Sequence, residues 1–222
     1  MGIPIVYFRL EGPLQSWGTA GILDEHPTCD FPTLSGVLGL IGCALGMRED
    51  DPFMENLRSQ TVMAARANKT GEIGTDFQTV QAVQGRFMRA DGKLKAQSYT
   101  KVKHKAYLND ASFTVAITAE PNVVAKIAEA INTPKWIIYL GRKGCVPSTP
   151  IFARTTESFA SLQEALCCVD GAEEGKEYII ESSAENSDSM YLQCDVLTDA
   201  KARRFAPRRV KRERIIGKYV SV

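Results

Sequence analysis

Only two histidines, His26 and His104, occur in this chain of 222 residues, and none of its six cysteines belongs to a Cys-x-x-Cys pair. A structural zinc site gathers Cys and His at short fixed spacings, so the composition argues against one, and no other metal or cofactor motif stands out. No stretch reaches the ~20 consecutive apolar residues that carry a helix across a bilayer. The longest candidate, Leu34 to Met47, is interrupted by Gly36, Gly39, Gly42 and Gly46. The opening MGIPIVYFRLEGP lacks the basic, apolar and small-residue order of a secretory signal. Reduced thiols, a cytoplasmic location and no membrane partner are the expectations. Internal repeats and low-complexity tracts are absent as well.

What is present is an ordinary globular composition, 44% apolar and 24% charged, enough to bury a core as one large domain or two small ones. The net charge of +1 conceals a segregation. Residues 86–105 hold seven Lys or Arg against Asp91, and residues 201–218 hold nine against Glu213, so the remaining chain is acidic. One basic run by itself reads as a solvated face. Two, far apart in sequence, point to a polyanionic partner, with nucleic acid the better reading.

Alternation and β-branched content predict a strand over 3–10, closed by a Gly12-Pro13 turn, and further strands over 61–68, 112–119 and 135–141. Helical spacing predicts helices over about 33–47 and 121–132, the second opened by Pro121. The order β, α, β, β, α, β is that of an α+β, ferredoxin-like domain of the RRM type, expected over 1–145. The stretch 69–111 is longer than a hairpin requires and carries most of the first basic run, so it reads as a protruding arm. Residues 146–222 read as a smaller β-rich part with a basic tail: a helix over 161–168, strands over 177–182, 190–197 and within 208–217, forming a second small sheet on the first.

The glycines of FPTLSGVLGLIGCALG pose the main question. On a helical wheel they occupy about 80° to 200° from Leu34, opposite the apolar residues, and each weakens the helix by roughly 1 kcal/mol. Either the bare face packs closely on another helix, or a large partner approaches the backbone there, near an N-terminus opened by Thr33 and Ser35. In YLGRKGC the turn between Gly141 and Gly144 presents Arg142 and Lys143, which suits phosphate and equally a solvent-facing turn. Trp17 is a ring for stacking on a base, or a core residue. His104, between Lys103 and Lys105, is the one candidate general base, or simply an exposed histidine.

The stretches FRLEGPLQSWG, FPTLSGVLGLIGCALGM, AYLNDASFTVAI and YLGRKGCVPSTPIF resemble, in order and spacing, the CasD family of type I-E CRISPR Cascade subunits, within the RAMP superfamily of RNA-binding proteins. The resemblance covers about residues 3–156, with an echo in RRFAPR. It implies a ferredoxin-like domain with a thumb, and a non-catalytic role holding the 5′ handle of the CRISPR RNA. The implied partners are a CasC-like backbone subunit and a CasA-like large subunit, with target DNA reached through the assembled complex. Carried onto this sequence, the implied RNA-binding residues are Ser35, Gly36, Arg142, Lys143, Arg203, Arg204 and Arg208. The thumb cations Arg86, Arg89, Lys101, Lys103 and Lys105 are implied for the handle or the CasC junction. Type I-C relatives cut repeat RNA without a metal, using a tyrosine, a lysine and a histidine. The alternative is therefore an endoribonuclease in which Lys103 and His104 act with Tyr99 or Tyr107.

Overall fold

A computed structural model describes residues 2–18, 24–48, 50–81, 86–88, 93–96, 100–183, 190–199 and 204–218. In chain order its elements are β1 (Ile5–Gln15), β2 (Trp17–Gly18), β3 (Glu25–His26), β4 (Thr28–Cys29), α1 (Leu34–Leu45), α2 (Pro52–Gln60), β5 (Val62–Lys69), β6 (Glu72–Val80), β7 (Arg86–Met88), β8 (Leu94–Ala96), β9 (Lys101–Thr118), α3 (Pro121–Asn132), β10 (Arg154–Thr156), α4 (Leu162–Cys168), β11 (Glu177–Ser183), β12 (Met190–Asp199) and β13 (Arg204–Ile216). None of the described helices is long and apolar enough to cross a membrane.

The first half builds four antiparallel strands in the order β10, β1, β9, β5, with α1 and α2 joining β1 to β5 and α3 joining β9 to β10. Strand alternation divides the core between two faces of this sheet. Phe8 and Leu10 of β1 and Phe113, Val115 and Ile117 of β9 turn toward α1 and α3. Ile5, Ala64, Ala116 and Ile180 turn the other way, where α4 covers them with Leu162, Ala165 and Leu166. On that second face Arg66 is fully buried. Its Nη1 donates to the carbonyls of Leu166 at 2.6 Å and Val169 at 2.9 Å, and its Nη2 to that of Asp170 at 2.8 Å. A cation thus satisfies the open carbonyls at the C-terminus of α4.

The structure corrects the sequence reading in four places. β1 does not stop at Gly12-Pro13 but runs on to Gln15, pairing as far as Leu108 of β9. β10 flanks β1 only at Ile5, Val6 and Tyr7, so at Pro13 no neighbour on that side needs the missing N–H. The segment 135–141 is not a strand: the N–H groups of Lys135 and Trp136 donate to Ala44 and Cys43, closing the last carbonyls of α1, and Ile137 is 85% exposed. The strand that flanks β1 at this edge is instead β10. The helix α2 was not foreseen, although Asp51 caps it by accepting from the Phe53 N–H at 2.9 Å and Pro52 opens it. Finally, β11, β13 and β12 do not form a second sheet. β11 pairs with β5, so they extend the first one.

The arm is a continuation of the sheet. β9 is 18 residues long, and after its Ser112–Thr118 half pairs with β5, its Lys101–Asn109 half pairs with β6 in a hairpin whose β6 strand is largely exposed. Between β6 and β9 in the chain, β7 and β8 pair as a separate two-stranded ribbon.

Candidate nucleic-acid interface

The glycine face of α1 is covered at some positions and open at another. A Cβ on Gly36 would stand 2.8 Å from Cε3 of Trp17, and one on Gly42 would stand 3.2 Å from Cε of Met54 in α2. Gly46 ends the helix at φ 69°, a conformation that favours glycine. At Gly39 a Cβ would meet nothing within 4 Å. Gly39 lies on a groove of about 900 Å³ whose walls include Ser35 and Gly36 of α1, Met54 of α2, Trp136, and Phe205 of β13. Close packing therefore explains Gly36 and Gly42, and an open surface explains Gly39.

Trp17 is corrected by the same geometry. Its ring is fully buried and its Nε1 donates to Oε1 of Gln15 at 2.9 Å, so it presents no face to a base.

The basic tail is largely consumed inside the fold. Arg208 donates from Nε and Nη2 to the two oxygens of Asp195 at 3.0 and 2.7 Å, and from Nη1 to Ser183 at 3.0 Å. Its side chain is 10% exposed and that of Asp195 0%. A bidentate partner across the hairpin already satisfies Arg208, so its guanidinium is committed inside the fold. Arg212 bridges Asp30 and the buried Glu181, with its guanidinium over the Phe31 ring at 4.6 Å. Burial works against ionisation of Asp30, but its hydrogen bonds from Arg212 hold its carboxyl below the ordinary value; burial pushes Glu181 up. Lys211 pairs with Glu213 and Arg214 with Glu177. Arg204 is exposed, and Arg203 lies outside the described residues.

The arm gives the opposite picture. Register places Lys101 opposite Val80, Lys103 opposite Gln78, Lys105 opposite Asp76 and Tyr107 opposite Gly74. Alternate residues of a strand share a face, so the three lysines form a row at about 6.8 Å intervals, ending at Tyr107. Arg142 closes that end: its guanidinium lies 4.8 Å from the Tyr107 centroid and donates to the carbonyls of Ala106 and His26, each at 3.0 Å. The glycine turn thus places Arg142 as a brace and leaves Lys143 exposed. β3 runs parallel to β9 with His26 beside Lys105. Burial, then the charges of Lys103, Arg142 and Lys105, hold His26 below its ordinary 6.5. Arg86 lies on the backbone of β7 with its side chain outside the described residues, as are Arg89 and Tyr99.

His104 points away from this row. Its Nδ1 is 2.7 Å from Oε1 of Glu25, and its ring lies 5.5 Å from that of Phe77.

The family model for CRISPR-associated protein (Cas_Cas5) matches residues 5–216. The chain belongs to the Cas5 family. It is 32% identical over 164 residues, 68% of this chain and 70% of the relative, to the CRISPR system Cascade subunit CasD of Escherichia coli (strain K12). Its fold is similar to a chain of a CRISPR RNA-guided surveillance complex, with TM-score 0.76 and 25% identity over 97% of this chain and 90% of that one. It is also similar to a structure titled Crystal structure of Cas protein, with TM-score 0.70 and 28% identity over 96% and 95%.

Three features of this Cas5 chain escaped the sequence reading. His26 joins the lysine row only through the β3–β9 pairing, which no local pattern announces. Trp136 reaches the groove because its segment docks on α1. Asp195 does leave a trace: it is the buried acid at an inward position of β12, beside a strand rich in arginine.

Proposed function

We propose that the protein is a non-catalytic Cascade subunit that holds the 5′ handle of the CRISPR RNA along the lysine row of its arm. In this reading the handle lies on Lys101, Lys103 and Lys105 and reaches toward Lys143, with CasC-like and CasA-like subunits as neighbours and target DNA met through the assembled complex. The unit of β10, β1, β9 and β5 is read as the ferredoxin-like, RRM-like domain, which takes its edge strand from beyond the expected 1–145 boundary, and the rest of 146–222 as the part that buttresses it. The observation that carries the proposal is the one-sided row of cations on β9, which contrasts with a tail in which Arg208, Arg212 and Arg214 are bound to acids. Single-stranded RNA bound through phosphate needs such a row of unburied cations.

The test is an arm replacement. A chain in which a short Gly-Ser linker replaces 76–105 is expected to unfold cooperatively and to lose binding to CRISPR RNA and assembly with a CasC-like subunit. Full RNA affinity in that chain would remove the arm from the interface.

A further inference from the structure

Along one edge of β9 the neighbouring strands leave a gap. β1 pairs as far as Gln15 opposite Leu108, and β3 takes up the edge again only at Lys105 and His104. Among the described residues, Ala106 and Tyr107 at the root of the arm therefore have no strand beside them on that edge. A carbonyl left without a strand partner turns to water or to a side chain. Arg142 fills the place. Its Nη1 donates to the Ala106 carbonyl and its Nη2 to that of His26, so one planar fork ties the root of the arm to β3 while its face covers the Tyr107 ring.

The turn that carries Arg142 is itself held to the body. Gly141 sits at φ 88°, and a Cβ there would stand 1.7 Å from the carbonyl oxygen of Ser16, just past the end of β1. The Ser16 N–H donates to Leu140 at 3.0 Å, the Leu140 N–H to Cys145 at 2.7 Å and the Cys145 N–H to Arg142 at 2.8 Å. Cys145 is fully buried. Ser16 also sends its Oγ to the Ala106 carbonyl at 3.5 Å, a longer contact than the one Arg142 makes.

We propose that Arg142 is a positioning residue: it sets the direction in which the lysine row leaves the body, and it acts on RNA through the arm rather than by touching phosphate. Lysine cannot replace it, because an ammonium on a flexible stem does not span two carbonyls and lie flat on a ring at once. The consequence for RNA rests on the function proposed above; the bracing of the arm does not.

Two measurements on the full chain, each made with Arg142→Lys and Arg142→Ala, test it. Amide hydrogen exchange reads the brace. The His104 N–H, which donates to Asp24 at 2.9 Å, is expected to lose protection in both variants, while the amides of Phe113, Val115 and Ile117 in the body half of β9 keep theirs. A salt titration of CRISPR RNA binding reads the consequence. Both variants should bind about tenfold more weakly, because the arm must then be ordered on binding, with the log-log slope unchanged. A phosphate contact gives the opposite pattern, in which alanine flattens the slope by about 0.7 and lysine keeps both slope and affinity, and that result would overturn the proposal. So would unchanged protection at His104, or unchanged RNA affinity in a variant that has lost it. If Arg142→Ala does not fold, Arg142→Lys carries both readouts. Absence of RNA binding by the unaltered protein would defeat the functional reading and the consequence for RNA with it, while the exchange result still decides the brace.

Discussion

Lys103 and His104, adjacent in sequence, stand back to back across β9: one faces the row shared with Lys105 and Tyr107, the other faces Glu25 and Phe77. A metal-independent ribonuclease needs its base and its cation around one phosphate, and a strand holds neighbours on opposite sides. Incubation with the cognate repeat RNA in EDTA is therefore expected to yield no specific cut, and His104→Ala should leave RNA binding unchanged. A single cleavage that leaves a 5′-hydroxyl and disappears in His104→Ala would make the protein a processing nuclease.

The lysines and the tail arginine should separate in a salt titration. Each phosphate contact contributes about 0.7 to the log-log slope for single strands, so Lys103→Ala with Lys105→Ala should weaken binding and flatten the slope by up to about 1.4. Arg208→Ala strands the buried Asp195 carboxylate and should lower folding stability by about 3–5 kcal/mol, read by urea unfolding, with the slope unaltered. A flattened slope in a folded Arg208→Ala protein would put that guanidinium on RNA.

His26 supplies a pH signature. Its folded-state value lies below 6.5, so the unfolded chain takes up the proton first and stability declines as pH falls from about 6.5 through the folded value. RNA phosphate beside Lys103, Lys105 and Arg142 would offset the charges that depress it and raise that value. Binding should accordingly tighten as pH drops through this window, measured at fixed ionic strength, and His26→Gln should remove the dependence. An identical pH profile in His26→Gln would show that RNA does not come near the ring.

The glycines of α1 should respond unequally. Gly39→Ala adds a Cβ in open space and should raise stability by about 1 kcal/mol through helix propensity. Gly36→Ala drives a Cβ into the buried Trp17 and should lower stability by about 1–3 kcal/mol. Equal effects in chemical denaturation would contradict the distinction between a packed and an open glycine.

Much of the scaffold was legible without coordinates, for local reasons. The period of Leu34–Leu45, Pro121 at the start of α3 and the short apolar runs of β5, β11 and β12 each encode an element within a few residues. The 135–141 segment misled because an apolar run flanked by Pro134 and Gly141 reads alike whether it pairs with β1 or caps α1. The competition between that run and Arg154–Thr156 for one sheet edge is settled by long-range contacts.

The sequence by itself determined that the chain is an α+β protein, that α1, α3 and α4 are helices, and that its charge is divided between basic segments and an acidic remainder. Only the tertiary structure decided what those charges do. The tail and the arm look equally basic in one dimension, but the β11–β13 and β12–β13 pairings bring Glu177, Glu181 and Asp195 to the arginines of the tail. The row on β9 meets only one acid directly across the hairpin, Asp76. A cation serves a partner when its own fold supplies no counter-ion, and that depends on which strands pair.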